Sequence, residues 1–281
     1  MPSVTKRSRE RMSVAINKLK TVNMGATAIG TCLNANSQYI LLVIENLKEI
    51  SGFDITLAED LIDATQNTDV FVEVSSAIKT WAVVISKISN DLRLMGSGPR
   101  CGLGEINLPE VQPGSSIMPG KVNPVIPEAV NQVAFQVIGN DLTINLAAEA
   151  GQLELNVMEP VLVFNLMQTF DIMTNAQNMF VEKCVNNITV NEKTCKEFVE
   201  KSIGIVTALN PHIGYEKACL VAKEALKTNK SIREIVLAHK FLEEGKLNKI
   251  LDPYEMTEVG IAGKELLEKR IIRKNYEDYR R

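Results

Sequence analysis

Apolar residues Phe71, Val74, Ile78, Trp81, Ile85, Ile88, Leu92 and Met95 recur at alternating steps of three and four. That spacing is a heptad seam, and it predicts a long helix over 71–95 in a left-handed bundle. A second seam, Ile126, Ala129/Val130, Val133 and Val137, predicts another long helix, with bends expected at Asp141 and Gly151. Residues 160–180 are apolar nearly all round, with Val161, Leu162, Val163, Phe164, Leu166, Met167, Phe170, Ile172 and Met173. A helix of that kind must be buried on several sides, and other subunits are a natural source of cover.

Between the first two helices the texture breaks. Of 16 Gly, six lie within 96–127 (Gly96, Gly98, Gly102, Gly104, Gly114, Gly120), and of ten Pro, six lie there as well (Pro99, Pro109, Pro113, Pro119, Pro124, Pro127). A long irregular stretch between strong helices is costly to order and is usually functional or disordered. Ile106, Leu108, Ile117 and Met118 lie inside it, which favours order. After about residue 188 the segments shorten and gain charge: 191–202, 214–227 and 231–239, the last opened by a Ser231-x-x-Glu234 capping box. The expected fold is all-α: a central bundle of long helices over 1–188, then a small helical C-terminal domain over 189–281.

Composition agrees. The chain is 45% hydrophobic but only 5% aromatic, so its core is aliphatic, which suits helices better than a β-sandwich. A net charge of −3 gives no case for nucleic acid. The basic cluster Lys6-Arg7-Arg9-Arg11 is broken by Glu10 and reads as a solvated helix face. Five scattered cysteines without a Cys-x-x-Cys pair point to a reducing compartment and away from a metal site. With no apolar signal core and no run long enough for a bilayer, a cytoplasmic protein with no membrane partner is expected.

The chemistry concentrates in Gly114-Ser115-Ser116-Ile117-Met118-Pro119-Gly120-Lys121-Val122-Asn123-Pro124. Gly114 and Gly120 leave the backbone free to swing, while Pro113, Pro119 and Pro124 keep it out of a helix. Two hydroxyls, one ammonium and one carboxamide between them suit a small dicarboxylate on which a proton is moved. Plainer readings of the same residues stay open. Ser115 and Ser116 also suit capping or a turn, Lys121 a solvated surface site, and Asn123 an ordinary turn. Glu128 suits a first-turn carboxylate complementing the helix dipole. His212 reads as a packed or capping residue and His239 as solvent-facing.

The motif and its continuation Val125-Ile126-Pro127-Glu128-Ala129-Val130-Asn131-Gln132-Val133 resemble the signature loop of the fumarase/aspartase superfamily. Three more segments agree: Asn23–Thr31 with the family's glycine-threonine turn, Glu154-Leu155-Asn156-Val157-Met158-Glu159-Pro160 with its buried central-helix segment, and Leu209–Tyr215 with its C-terminal domain. Residues 125–133, 148–154 and 156–160 look more like the aspartase branch than class II fumarase. The resemblance implies elimination of ammonia from L-aspartate to give fumarate, with no cofactor and no metal. Hydration of fumarate and a catalytically silent assembly module are the alternatives. It implies that Ser115 is the general base and that Ser116, Ile117 and Met118 bind the β-carboxylate. Lys121 and Asn123 would hold the other carboxylate, with Gly114, Gly120 and Glu128 in support. It also implies a homotetramer with active sites shared between subunits. The family's Thr/Ser-rich segment and Thr-His motif, including the histidine that pairs with Glu128, have no counterpart here, so weak or absent activity is expected of this chain alone.

Overall fold

The computed structural model describes residues 2–98, 100–112, 114, 118 and 120–267. The chain divides into two compact units, Met1–Val190 and Asn191–Arg281.

The first unit is a bundle. Helix α1 spans Pro2–Lys18, α2 Ser37–Ser51, α3 Asp63–Gln66, α4 Asp69–Met95, α5 Val125–Glu149 and α6 Glu159–Lys183. Helix α4 packs on α1 and α5, and α5 packs on α6. The predicted seam of α4 is its buried face: Val74, Ile78, Trp81, Ile85 and Leu92 are buried, and Phe71, Ile88 and Met95 pack against them. Each such side chain, taken from water, contributes about 1.5–3 kcal/mol before entropy is counted. In α6 the buried residues Leu162, Leu166, Thr169, Met173, Ala176 and Phe180 follow the same steps of three and four. Its opposite side, with Val161, Phe164 and Met167, is exposed within this chain. Apolar character all round thus resolves into one face used by the bundle and one left open.

Asp141 bends nothing. It is buried inside an unbroken α5, bonded by the Ser75 hydroxyl at 2.8 Å and paired with Lys79, both on α4. Satisfying the carboxylate in this way lets it sit in a helix interior without distortion. A second correction concerns residues 154–160. Only Asn156 is buried, and residues 151–158 form the turn between α5 and α6 rather than helix. Two short ladders complete the unit. Strand β1 (Thr21–Val22) runs parallel to β2 (Thr56–Leu57), and β3 (Ile106–Asn107) runs antiparallel to β4 (Thr189–Val190). In the turn at 23–31, Gly30 has φ +86°, and a Cβ there would strike the backbone of Leu61 and Ile62, so glycine is required.

The second unit packs short helices: α7 Glu192–Lys201, α8 Asn210–Ile213, α9 Tyr215–Thr228, α10 Ile232–Ala238, α11 Glu244–Ile250 and α12 Pro253–Thr257. They surround a core of Leu209, Val221, Ile232, Ile235, Val236, Leu247 and Ile250. The Ser231–Glu234 capping box is present with both of its bonds. His212 is half-buried with Nε2 2.8 Å from the Ala262 carbonyl oxygen. His239 faces solvent, as expected, but is not free: Nε2 lies 2.7 Å from Glu224, and its ring stacks on Phe241.

Candidate functional site

The stretch joining α4 to α5 is tied down in steps. At its start, the Gly96 N–H closes the last turn of α4 on the Leu92 carbonyl at 2.9 Å. The Glu105 N–H then returns to the Met95 carbonyl at 2.9 Å and the Gly104 N–H to Ser97 at 2.7 Å. Ser97 Oγ donates to the Leu94 carbonyl at 2.6 Å and accepts from the Leu103 N–H at 3.0 Å. Residues 97, 98 and 100–105 therefore form a turn seated on the end of α4. Next, Ile106 and Asn107 pair with β4, and Asn107 Nδ2 donates to Thr189 Oγ1 at 3.0 Å. Ile106 and Leu108 pack against the bundle core, which accounts for the order expected from their apolar character.

Ser115, Ser116 and Ile117 lie outside the described residues. Around them, Gly114 comes so close to the Lys121 backbone that a Cβ would run into the Lys121 carbonyl oxygen. The two ends of the loop tip therefore meet, and only glycine fits at that approach. Gly120 takes φ +79° with open space where a side chain would point. The Lys121 N–H bonds the Met118 carbonyl at 3.2 Å, and Met118, Lys121 and Val122 are exposed. Asn123 is half-buried, and its carbonyl accepts from the Val125 N–H at 2.8 Å as α5 begins. Lys121 and Asn123 are thus close in the chain, at the exit of the loop, with Lys121 exposed to solvent.

Glu128 sits in the first turn of α5, its N–H bonded to the Pro124 carbonyl at 3.1 Å. Its carboxylate faces Arg93 of α4, with Nη2 3.8 Å from Oε1. Arg93 Nη1 donates to Asn131 Oδ1 at 3.2 Å, and Asn131 Nδ2 donates to the Ser86 carbonyl and hydroxyl at 3.1 and 2.9 Å. Neither Arg93 nor Asn131 stands out in the sequence, because a polar contact across two helices leaves no periodic trace. A pocket of about 300 Å³ lined by Ile205, Pro211, Met256 and Ile261 lies in the second unit and shares no residue with the loop. Among the described residues, no group of three or more His, Cys, Asp or Glu side chains is arranged to hold a metal ion. None of their helices is long and apolar enough to cross a membrane.

Comparison with known proteins gives consistent matches. A family model described as Lyase matches residues 2–139, and one described as Fumarase C C-terminus matches 205–258. An aspartate ammonia-lyase of Bacillus subtilis (strain 168) is 58% identical over 266 residues, covering 95% of this chain and 56% of that protein. The aspartate ammonia-lyase of Escherichia coli (strain K12) is 55% identical over 232 residues, 83% of this chain and 48% of that protein. Among solved structures, the cobalt-bound fumarate lyase:delta crystallin of Brucella melitensis superposes with a TM-score of 0.88 at 45% identity, over 91% of this chain and 55% of that one. A class II fumarase of Schistosoma mansoni gives 0.84 at 33% identity, over 89% and 56%. The chain spans about half the length of the curated relatives it matches.

Proposed function

This chain belongs to the fumarase/aspartase superfamily of lyases, and from that membership we propose that it carries the loop-bearing part of an aspartate ammonia-lyase. One observation supports the aspartase branch above the rest. Identity to proteins named aspartate ammonia-lyase is 58% over 266 residues, a span long enough to include the signature loop, whereas identity to the class II fumarase is 33%.

In the proposed reaction L-aspartate loses a proton from the carbon beside its β-carboxylate, and ammonia leaves from the neighbouring carbon. That proton is barely acidic, and removing it puts a second negative charge on the carboxylate. Rate acceleration must therefore come from donors aimed at the charge as it builds. Ser115 is the proposed base, acting as an alkoxide stabilised by loop N–H groups and nearby positive charge. Ser116 with the N–H groups of Ile117 and Met118 receives the β-carboxylate. Lys121 and Asn123 hold the α-carboxylate, and the exposed position of Lys121 at the loop exit supports that role. Glycine hinges at Gly114 and Gly120 let the loop close and exclude water.

We also propose a homotetramer with shared sites in a reducing cytoplasm. The first is supported by the exposed apolar stripe Phe135, Ile138, Leu142 and Leu146 on α5, and the second by cysteines that form no disulfide among the described residues.

The test is a chimera in which this chain replaces the matching 266 residues of the Bacillus subtilis enzyme. It should release fumarate from L-aspartate and leave L-malate untouched, and Ser115→Ala should lower kcat by about a thousandfold or more. A folded chimera that dehydrates malate instead would favour fumarase, and a folded chimera inert on both substrates would refute the enzymatic reading.

A further inference from the structure

We propose that Arg93 is a positioning residue, a two-ended strap that holds together the two stems of the signature loop. The inference rests on the lyase reading above, and its physical basis is where Arg93 stands. It lies in the last turn of α4, just before the loop begins at Gly96. Its two contacts, Glu128 and Asn131, lie in the first two turns of α5, just after the loop ends at Pro124. One side chain thus joins the two stems of the loop.

The joint is built unevenly. On the inner side Asn131 is 4% exposed and fully committed, accepting from Arg93 and donating to Ser86. On the outer side Glu128 and Arg93 are both about two-fifths exposed and 3.8 Å apart. A half-exposed pair at that distance contributes little to global stability. Its consequence is geometric: it fixes the direction of the first turn of α5, and with it the backbone that presents Asn123 and Lys121. Arginine suits this place because its planar fork addresses a carboxamide with one nitrogen and a carboxylate with the other, while a lysine ammonium has only one nitrogen. The Arg93 Nε is also buried without a partner among the described residues, so the side chain is held for its two end contacts and not for a full set of bonds.

A fixed base makes mechanistic sense. Groups that hold a substrate are only as well placed as the stems that carry them. Here the stems are the turn on the end of α4 on one side and the first turn of α5 on the other, and Arg93 spans the gap between the helices that carry them.

The test uses the 281-residue chain for hydrogen exchange and the chimera for kinetics. In Glu128→Gln and Arg93→Lys, amide exchange in peptides 104–112 and 120–130 should rise by about two- to fivefold. Peptides 74–86 of α4 and 215–228 of the second unit should stay at the parent rate. Arg93→Met should give the same local rise plus wider loosening, because it also orphans Asn131. In the chimera, Arg93→Lys should lower kcat by about tenfold with KM within about twofold. Unchanged exchange in Glu128→Gln, or full protection in Arg93→Lys, would overturn the strap. An active chimera whose kcat ignores Arg93→Lys would overturn it too, while leaving the lyase reading intact. An inert chimera with the expected exchange pattern would instead refute the lyase reading and keep the strap.

Discussion

Replacing Asn156 by alanine should destabilise the first unit severely, because one carboxamide there serves three chain ends. Asn156 is 2% exposed, between the end of α5 and the start of α6. Its Nδ2 donates to the Ala147 carbonyl at 3.0 Å, the Ala148 carbonyl at 3.3 Å and Thr68 Oγ1, next to the start of α4, at 3.2 Å. Its Oδ1 accepts from the Met158 N–H at 2.9 Å, ahead of α6. The two carbonyls and the N–H are helix-terminal groups that have no partner within their own helices. Alanine leaves two carbonyls and one N–H without it, and each such buried group costs about 1–3 kcal/mol, so a loss of about 3–4 kcal/mol is expected. With a urea m-value of about 2–3 kcal/mol/M for a bundle of this size, the midpoint should fall by about 1–2 M.

Trp81 makes the measurement local. It is the chain's single tryptophan, 7% exposed in α4, with its indole N–H bonded to Gln177 of α6 at 2.7 Å. Its fluorescence in a urea titration reports the bundle without contribution from the second unit. Asn156→Asp sharpens the test. Aspartate keeps the shape and the acceptor for Met158 but turns the donor into an oxygen facing two carbonyls. If lost donation is the cause, Asp should be at least as damaging as Ala. A packing explanation requires Asp to be the milder of the two, and that result, or an Ala midpoint within experimental error of the parent, refutes the reasoning.

Two further outcomes are expected. In the second unit the Ser231 backbone and side-chain donors hold the Glu234 carboxyl below its usual range, and Lys249 together with the Gly263 N–H does the same for Glu255. A depressed carboxylate stabilises the fold above its ordinary value near 4.5, and that help is lost as pH falls through the lowered one. The melting-temperature gap between parent and Glu234→Gln or Glu255→Gln should therefore be present at pH 7 and narrow as pH drops below 4.5; a gap that does not narrow on acidification counts against it. Burial pushes the Cys184 thiol up, whereas Cys101 is exposed, so a thiol reagent at neutral pH should modify Cys101 first and Cys184 only as the bundle unfolds. Equal labelling of the two in native protein would contradict this.

Much of the bundle was legible because its signal is periodic. The seam from Phe71 to Met95 is read directly from spacing, whereas the nearly all-round apolar run of 160–180 marks a helix without showing which face the bundle uses; the concentration of Gly and Pro locates the loop between α4 and α5. Polar contacts across helices carry no such signature. Asp141 in a helical pattern reads as a bend until Ser75 and Lys79 are seen beside it. Asn156 reads as part of a helix because its neighbours Leu155 and Val157 are apolar, yet those two point to solvent and the polar residue is the buried one. At the site, the residue types were legible, as was the need for glycine at 114 and 120, and Lys121 and Asn123 fall together at the loop exit. Arg93 and Asn131 were not, since the contact joining them depends on how α4 lies against α5.

The open face of α5 bears on the loop as well. Along this helix Val130, Ala134, Val137 and Ile144 turn inward, while the larger Phe135, Ile138, Leu142 and Leu146 turn outward. The inward residues join the bundle core, and the outward ones leave an apolar stripe that water does not solvate well. The same helix carries Glu128 and Asn131 at its first end and the Asn156 clamp at its last. Covering the stripe in the proposed tetramer should therefore slow amide exchange in peptide 120–130 without any new contact to Arg93, and exchange there that is the same in dilute and associated protein would refute this link.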